Sequence, residues 1–136
     1  MSTDAKIRAA IESRLSTWAV SQAIPVAWEN VSTPTASRYL RAYMLPAESA
    51  ATYFEGGDTL RIGVYQIDVC VPLGQGPGPA SAIVEALESL FPAWLRLAAG
   101  AGQLIVTRPL SAKPGSTEAA HYVVPCQFRY RLHATA

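Results

Sequence analysis

Leu60-Arg-Ile-Gly-Val-Tyr-Gln-Ile-Asp-Val-Cys-Val-Pro-Leu-Gly-Gln-Gly-Pro-Gly-Pro79 decides the fold, because it carries a strand, a reversal and the start of a helix without a break. Ile62, Val64, Ile67, Val69 and Val71 are β-branched and suit a pleated, largely buried surface. Pro72 has no N–H to give to a ladder, so the strand should end there. Gly74, Gly76 and Gly78 free the backbone to turn, and Pro79, with φ already fixed, suits a first helical turn. Beyond it Ala80, Ile83, Val84, Leu87, Leu90 and Phe91 form one apolar stripe, with Glu85, Glu88 and Ser89 away from it. Spacings of three and four predict an amphipathic helix lying on a sheet.

Toward the N-terminus, Ser2, Thr3 or Asp4 can cap a first helix, whose stripe is Ile7, Ile11, Leu15 and Trp18. Arg8, Glu12 and Arg14 lie off that stripe, and Pro25 forbids its continuation. Val26-Ala-Trp28 reads as a short strand, residues 32–37 as a loop, and residues 38–45 as a second strand closed by Pro46. On that strand Leu40, Ala42 and Met44 share one face, while Tyr39, Arg41, Tyr43 and Leu45 share the other. A face mixing Tyr with Arg is half-exposed, or is covered by something other than this chain. Residues 47–58 hold Tyr53, Phe54 and the Gly56-Gly57 pair, which predicts an antiparallel hairpin with a long tip. The two aromatics there either tuck back onto the sheet or meet a partner.

Toward the C-terminus, Phe91-Pro92 ends the helix, and residues 93–102 read as an irregular segment in which Trp94, Leu95 and Leu97 pack down. Residues 103–108 form a strand stopped by Pro109, and Lys113-Pro-Gly-Ser116 is a turn. The final strand, residues 120–133, has the cleanest period of two. Tyr122, Val124, Cys126, Phe128, Tyr130 and Leu132 face one way; His121, Val123, Pro125, Gln127, Arg129 and Arg131 face the other. Pro125 predicts an edge position or a bulge. The whole is α+β, a single domain over residues 1–136 in the order α-β-β-β-α-β-β. It should build a mixed, mainly antiparallel sheet of about four to six strands with both helices packed on one face. A right-handed crossover fits residues 60–108.

At 136 residues the chain is long enough to bury roughly two-thirds of its unfolded surface. Half of it is hydrophobic, which excludes a disordered chain, and a net charge of +1 lends no support to a nucleic-acid role. No apolar run approaches the roughly twenty residues of a membrane span. The opening Met-Ser-Thr-Asp-Ala-Lys has no secretory h-region, so cytoplasmic synthesis is expected. Cys70 and Cys126 both fall inside strands and are expected to be small buried hydrophobes. His121 and His133 stand at no ligand spacing, so no metal site is expected.

Chemistry is hard to find. The Gly74–Pro79 loop opens a helix, yet lacks the Lys-Ser/Thr of a phosphate loop, and Pro77 and Pro79 remove two donors. It reads as a tight reversal. No nucleophile elbow or zinc-protease helix is present. Asp68 sits mid-strand, where a charge is costly unless paired, and an ion pair with Arg41 or Arg129 is expected ahead of a catalytic acid. What remains is surface. Of eleven basic residues nine are Arg, and Arg38, Arg41, Arg61, Arg108, Arg129 and Arg131 lie at or near strand positions with Tyr39, Tyr43 and Tyr65. Arg and Tyr are enriched at protein interfaces, although a solvated outer face explains the pattern as well.

The order of landmarks resembles a known family. Ile24-Pro-Val-Ala-Trp-Glu-Asn-Val31 and Tyr39-Leu-Arg-Ala-Tyr-Met-Leu-Pro46 match its first half. Gly63-Val-Tyr-Gln-Ile-Asp-Val69 with Gly74-Gln-Gly-Pro-Gly-Pro79 is the most specific part; Leu90-Phe-Pro92 and Tyr122-Val-Val-Pro-Cys-Gln-Phe-Arg-Tyr130 complete it. Over about residues 5–132 the chain is similar to tail terminator-like proteins of long-tailed, non-contractile bacteriophages and prophages. The resemblance implies a structural protein that forms a ring, typically of six copies, on the head-proximal end of the tail tube. Such a ring stops tube polymerisation and presents a head-joining surface. Implied partners are further copies of itself, the tail tube protein and a head-completion or connector protein. Genome DNA would only pass through the lumen, and no membrane, cofactor, metal or catalytic residue is implied. The location would be the virion tail, with assembly in the host cytoplasm. Candidate subunit or tube contacts are Arg41, Tyr43, Tyr53, Phe54, Arg61, Arg129 and Arg131. Two alternatives stay open: another head–tail joining or minor tail protein, and a small enzyme or ligand-binding domain using the 74–79 loop with Asp68.

Overall fold

A computed structural model describes residues 3–31, 36–45, 52–53, 59–100 and 102–134. In chain order the elements are α1 (Thr3–Ser21), β1 (Val26–Trp28), β2 (Tyr39–Leu45), β3 (Thr52–Tyr53), β4 (Thr59–Pro72), α2 (Gly78–Leu90), β5 (Arg96–Ala99), β6 (Gly102–Ala112), β7 (Ser116–Glu118) and β8 (His121–Ala134). They form an α+β fold around one mixed sheet in the order β1-β2-β4-β8-β6-β5, with the short β3 and β7 attached to β4 and β8. The β1–β2 pair is parallel and the other pairs are antiparallel. Six strands on the main path match the expected range, and the two short ones exceed it. Phe54, Gly56, Gly57, Pro46, Ser2 and most of the 32–37 loop lie outside the described residues, and only the backbone of Tyr53 is described.

The spine is β4 on β8, in unbroken register from Thr59↔Ala134 to Pro72↔His121. Period-two alternation sends Tyr65, Ile67, Val69 and Val71 to one face with Leu40 and Ala42 of β2 and Val124, Cys126, Phe128, Tyr130 and Leu132 of β8. Onto that face α1 lays Ile7, Ile11 and Leu15, and α2 lays Ala80, Ile83, Val84 and Leu87, in one continuous core. Phe91, just past α2, stacks on Phe128 with ring centroids 4.6 Å apart. The helices are also tied to each other, since Arg14 Nε donates to the carbonyl of Leu90 at 2.7 Å. A cation suits that carbonyl end of α2.

Four expectations are corrected. Residues 96–99 form a strand paired with β6, although Arg-Leu-Ala-Ala has little intrinsic β preference; pairing overrides propensity here. Trp94 does not pack down: it is 65% exposed, its φ is +66°, and its N–H is held by Val106 O at 2.7 Å. Pro109 does not stop β6, which runs on to Ala112 with register shifts between Val106 and Arg108 and between Arg108 and Ser111. The bulge absorbs the missing donor.

Pro125 marks neither an edge nor a bulge, because β8 lies between β4 and β6 and its register with β4 is continuous there. Its carbonyl accepts the Lys113 N–H at 2.8 Å. A strand residue's N and O point to the same neighbour, so the proline nitrogen faces the place where β8 exchanges one partner for another. There β8 leaves β6, at Cys126↔Ala112, and takes up β7, at Val123↔Ser116. No donor is needed at that step. The same central position of β8 separates β4 from β6, which run parallel to each other across it with α2 as the crossover.

Candidate functional site

Among the described residues the sheet's other face carries no helix. Alternation places Gln66, Asp68 and Cys70 of β4 there, with Tyr39, Arg41 and Tyr43 of β2 and Val123, Gln127, Arg129 and Arg131 of β8. The face divides into two halves of different character.

One half is a connected polar network, satisfied within the chain except at Arg41 Nε, which is buried without a hydrogen-bond partner. Asp68 is 3% exposed and lies directly across from Arg41, whose Nη2 sits 3.0 Å from Asp68 Oδ2. The same guanidinium donates to Glu118 of β7, Nη1 to Oε1 at 2.7 Å and Nη2 to Oε2 at 3.1 Å. Gln66 Nε2 donates to Asp68 Oδ1 at 2.6 Å and to the Tyr43 hydroxyl at 2.5 Å, and that hydroxyl reaches Asp68 Oδ2 at 3.3 Å. Gln127 Nε2 extends the chain to Gln66 Oε1 at 2.7 Å. The hydrogen bond from Arg41 holds the Glu118 carboxyl below its ordinary range, and the same bond holds the guanidinium above its own. Burial, then the charge of Asp68, pushes the Tyr43 hydroxyl up. Ala27, Tyr39, Cys70 and Val123 close this half with a small apolar cluster.

The other half is cationic. Arg129 and Arg131 are exposed, and the β6 bulge sets Arg108 directly opposite Arg129. Beside the β8 arginines on β4, across from Arg108, lie Ile62, 48% exposed and paired with Arg131, and half-buried Val64, paired with Arg129. Among the described residues the ion pairs are Arg8–Glu29, Arg41–Asp68, Arg41–Glu118 and Arg61–Asp4, so these three arginines have none. A cleft of about 260 Å³ opens at the bulge, lined by Arg108, Ser111, Lys113, Gln127 and Arg129 among others.

Of the candidate contact residues, Arg41, Tyr43, Arg129 and Arg131 therefore share one face. Arg61 lies on the helix side and pairs with Asp4 at 2.9 Å. The Tyr53 side chain and Phe54 lie outside the described residues. Tyr65, grouped with the surface tyrosines by sequence, is fully buried beneath α1. Sequence reasoning also missed Glu118, Gln66 and Gln127 as network members. Arg41 and Glu118 are 77 positions apart, and no local pattern announces such a pair.

Among the described residues the parts of the alternative site do not converge. Arg41, Tyr43 and Gln66 occupy both oxygens of Asp68. The 74–79 loop turns through Gly74 at φ +83° and Gly76 at φ +72°, with Pro77 capping α2 through Ser81 N–H to Pro77 O. A cavity of about 400 Å³ beside it is lined by Pro72, Leu73, Gly74, Gly76, Pro77 and Tyr122, not by Asp68 or His121. Cys70 and Cys126 are free and buried, as expected, on opposite faces of the sheet, and burial pushes the Cys126 thiol up to about 12. Among the described residues no three His, Cys, Asp or Glu side chains gather to hold a metal, and no helix is long and apolar enough to cross a membrane.

Comparison with known proteins gives three findings. A model of the phage tail terminator protein family matches residues 6–130. One solved structure, of a protein described only by a sequence number, is 37% identical, covers 97% of this chain and 96% of its own, and superposes with a TM-score of 0.82. A chain from the virion of a native gene transfer agent particle has the same fold, with 18% identity, 98% of each chain covered and a TM-score of 0.69. No curated protein matches the chain.

Proposed function

The chain belongs to the phage tail terminator protein family and is a structural protein of a phage tail, and we propose that it assembles as a ring of six copies on the head-proximal end of the tail tube. The ring stops tube polymerisation and offers the surface to which the head is joined. The observation that carries this reading is the family match across nearly the whole chain. The fold adds support: a two-layer subunit whose described residues leave one sheet face bare of helices has a surface to give to neighbours. Two different surfaces meeting head to tail make a ring when the rotation closes. The proposed partners are further copies of the chain, the tube protein and a head-completion or connector protein, met in the virion after assembly in the host cytoplasm. DNA passes through the opening without sequence reading. Arg41, Tyr43, Tyr53, Phe54, Arg61, Arg129 and Arg131 remain the proposed contacts, and no chemical step is asked of them.

Deleting the gene from a phage or prophage that encodes it tests the role. Abnormally long tails without heads are expected by electron microscopy, together with closed rings in negative stain of the purified chain. Tails of normal length on the deletion background overturn the proposal.

A further inference from the structure

The cationic half of the bare sheet face is costly in a lone subunit. The β6 bulge sets Arg108 directly across from Arg129, and like charges in directly opposed cross-strand positions destabilise a sheet. Arg131 stands two residues further along the same face, and Lys113 joins Arg108 and Arg129 in the cleft at the bulge. The acids of the face, Asp68 and Glu118, are already taken by Arg41. Something carrying carboxylates would remove the repulsion. The apolar side chains beside the arginines on β4, Ile62 and Val64, fit a protein surface better than a phosphate backbone, since interfaces combine Arg with apolar contact.

The chain itself supplies that surface. On the opposite layer α2 exposes Glu85 and Glu88, one helical turn apart and without an ion pair among the described residues. They rim a groove of about 330 Å³ whose floor includes Ala80, Val84 and Val124, with Lys113 as its one cation. An arginine can lay its aliphatic stem along such a floor while its guanidinium meets the rim carboxylates.

We propose that Arg108, Arg129 and Arg131 on the bare sheet face of one copy dock on Glu85 and Glu88 of α2 in the next copy. The proposal rests on the ring reading and names the pair of surfaces that closes it. Because the arginines stand on the bare sheet face and the two glutamates on α2, with Lys113 at the margin both surfaces share, each copy donates one and accepts the other, as a head-to-tail ring requires.

Charge reversal tests it on the full chain. One variant carries Arg108→Glu and Arg129→Glu, the other Glu85→Arg and Glu88→Arg; all four positions are exposed, and circular dichroism checks that both variants fold. By sedimentation, each variant alone should need at least tenfold more protein than wild type to assemble. An equimolar mixture should recover assembly, because acidic sheet face then meets basic helix and each remaining contact has its native signs. Variants that assemble like wild type, or a mixture that fails to recover, overturn this docking while leaving the ring in place. A wild-type chain that stays monomeric at every concentration overturns the ring and the docking together. Salt-sensitive binding of a duplex DNA probe, lost in the Arg108→Glu, Arg129→Glu variant with assembly unchanged, overturns the docking and reassigns the arginines to nucleic acid.

Discussion

A carboxylate in the middle of a sheet costs several kcal/mol unless its oxygens are satisfied, and Asp68 has both of its oxygens engaged by Arg41, Tyr43 and Gln66. Removing the guanidinium is therefore worse than removing the carboxylate. Arg41→Ala leaves Asp68 buried with no cation, and a loss of about 2 kcal/mol is expected in urea unfolding. That is below the usual cost of breaking a buried pair because the Arg41 side chain keeps 28% exposure. Asp68→Asn should cost less, since an amide oxygen can still accept from Gln66. Glu118→Gln should cost least, because Glu118 is mostly exposed and water replaces what Arg41 gave it. The reverse order, with Glu118→Gln the most damaging, would show that β7 and not the buried pair anchors this half of the face. The sequence made Asp68 suspect and narrowed its partner to Arg41 or Arg129. Cross-strand register chose between them, since Arg41 pairs directly with Asp68 while Arg129 falls opposite Val64.

At the scale of elements, whatever recurred with a fixed period was legible. The stripes of α1 and α2 and the alternation of β8 appear where the apolar spacing puts them, because each buries a face against the others. On β4 Ile67, Val69 and Val71 do so, while Ile62 and Val64, read with them as a buried surface, fall on the bare face, since even and odd positions point opposite ways. Elements that exist only because a neighbour offers backbone groups were not legible. β5, half-exposed, and β7, exposed, are short and held by β6 and β8. Prolines misled for the same reason, since a missing N–H matters only if a partner strand waits for it. Pro125 allows a test by sign. If the proline cost β8 a ladder bond, Pro125→Ala would restore it and raise stability by about 1 kcal/mol. With the nitrogen facing the change of partners between Ala112 and Ser116, no bond is regained, and the freer unfolded chain makes the variant about 0.5–1 kcal/mol less stable. Denaturant midpoints of the two proteins decide it.

Across the whole molecule, the groups whose ionisation is suppressed most, Cys126, Tyr65 and Tyr130, lie in the main core between helices and sheet. The candidate surface was legible only as composition, an excess of Arg over Lys; its division into a paired half and a charged half depends on the β6 bulge and on a contact with distant Glu118. The core makes a sharper claim, which concerns pH. Burial raises the Cys126 thiol from 9.0 to about 12 and the Tyr130 hydroxyl from 10.0 to about 12, and pushes fully buried Tyr65 up as well. In each case the fold keeps the neutral form, so the contribution is complete below the unfolded value and is lost as pH rises toward the folded one. Stability should therefore hold up to about pH 9 and fall steeply between there and about pH 12, with Tyr65 and Tyr130 gaining their tyrosinate absorbance only as the chain unfolds. Cys126→Ala removes one of the two earliest titrations, the Cys70 thiol being raised by burial as well, and should delay the onset of the fall by a measurable margin in urea midpoints taken across that range. Tyrosinate absorbance from all six tyrosines at their ordinary pH, in a chain still folded by circular dichroism, would mean that the core admits water and that the packing of α1 and α2 on the sheet is looser than described here.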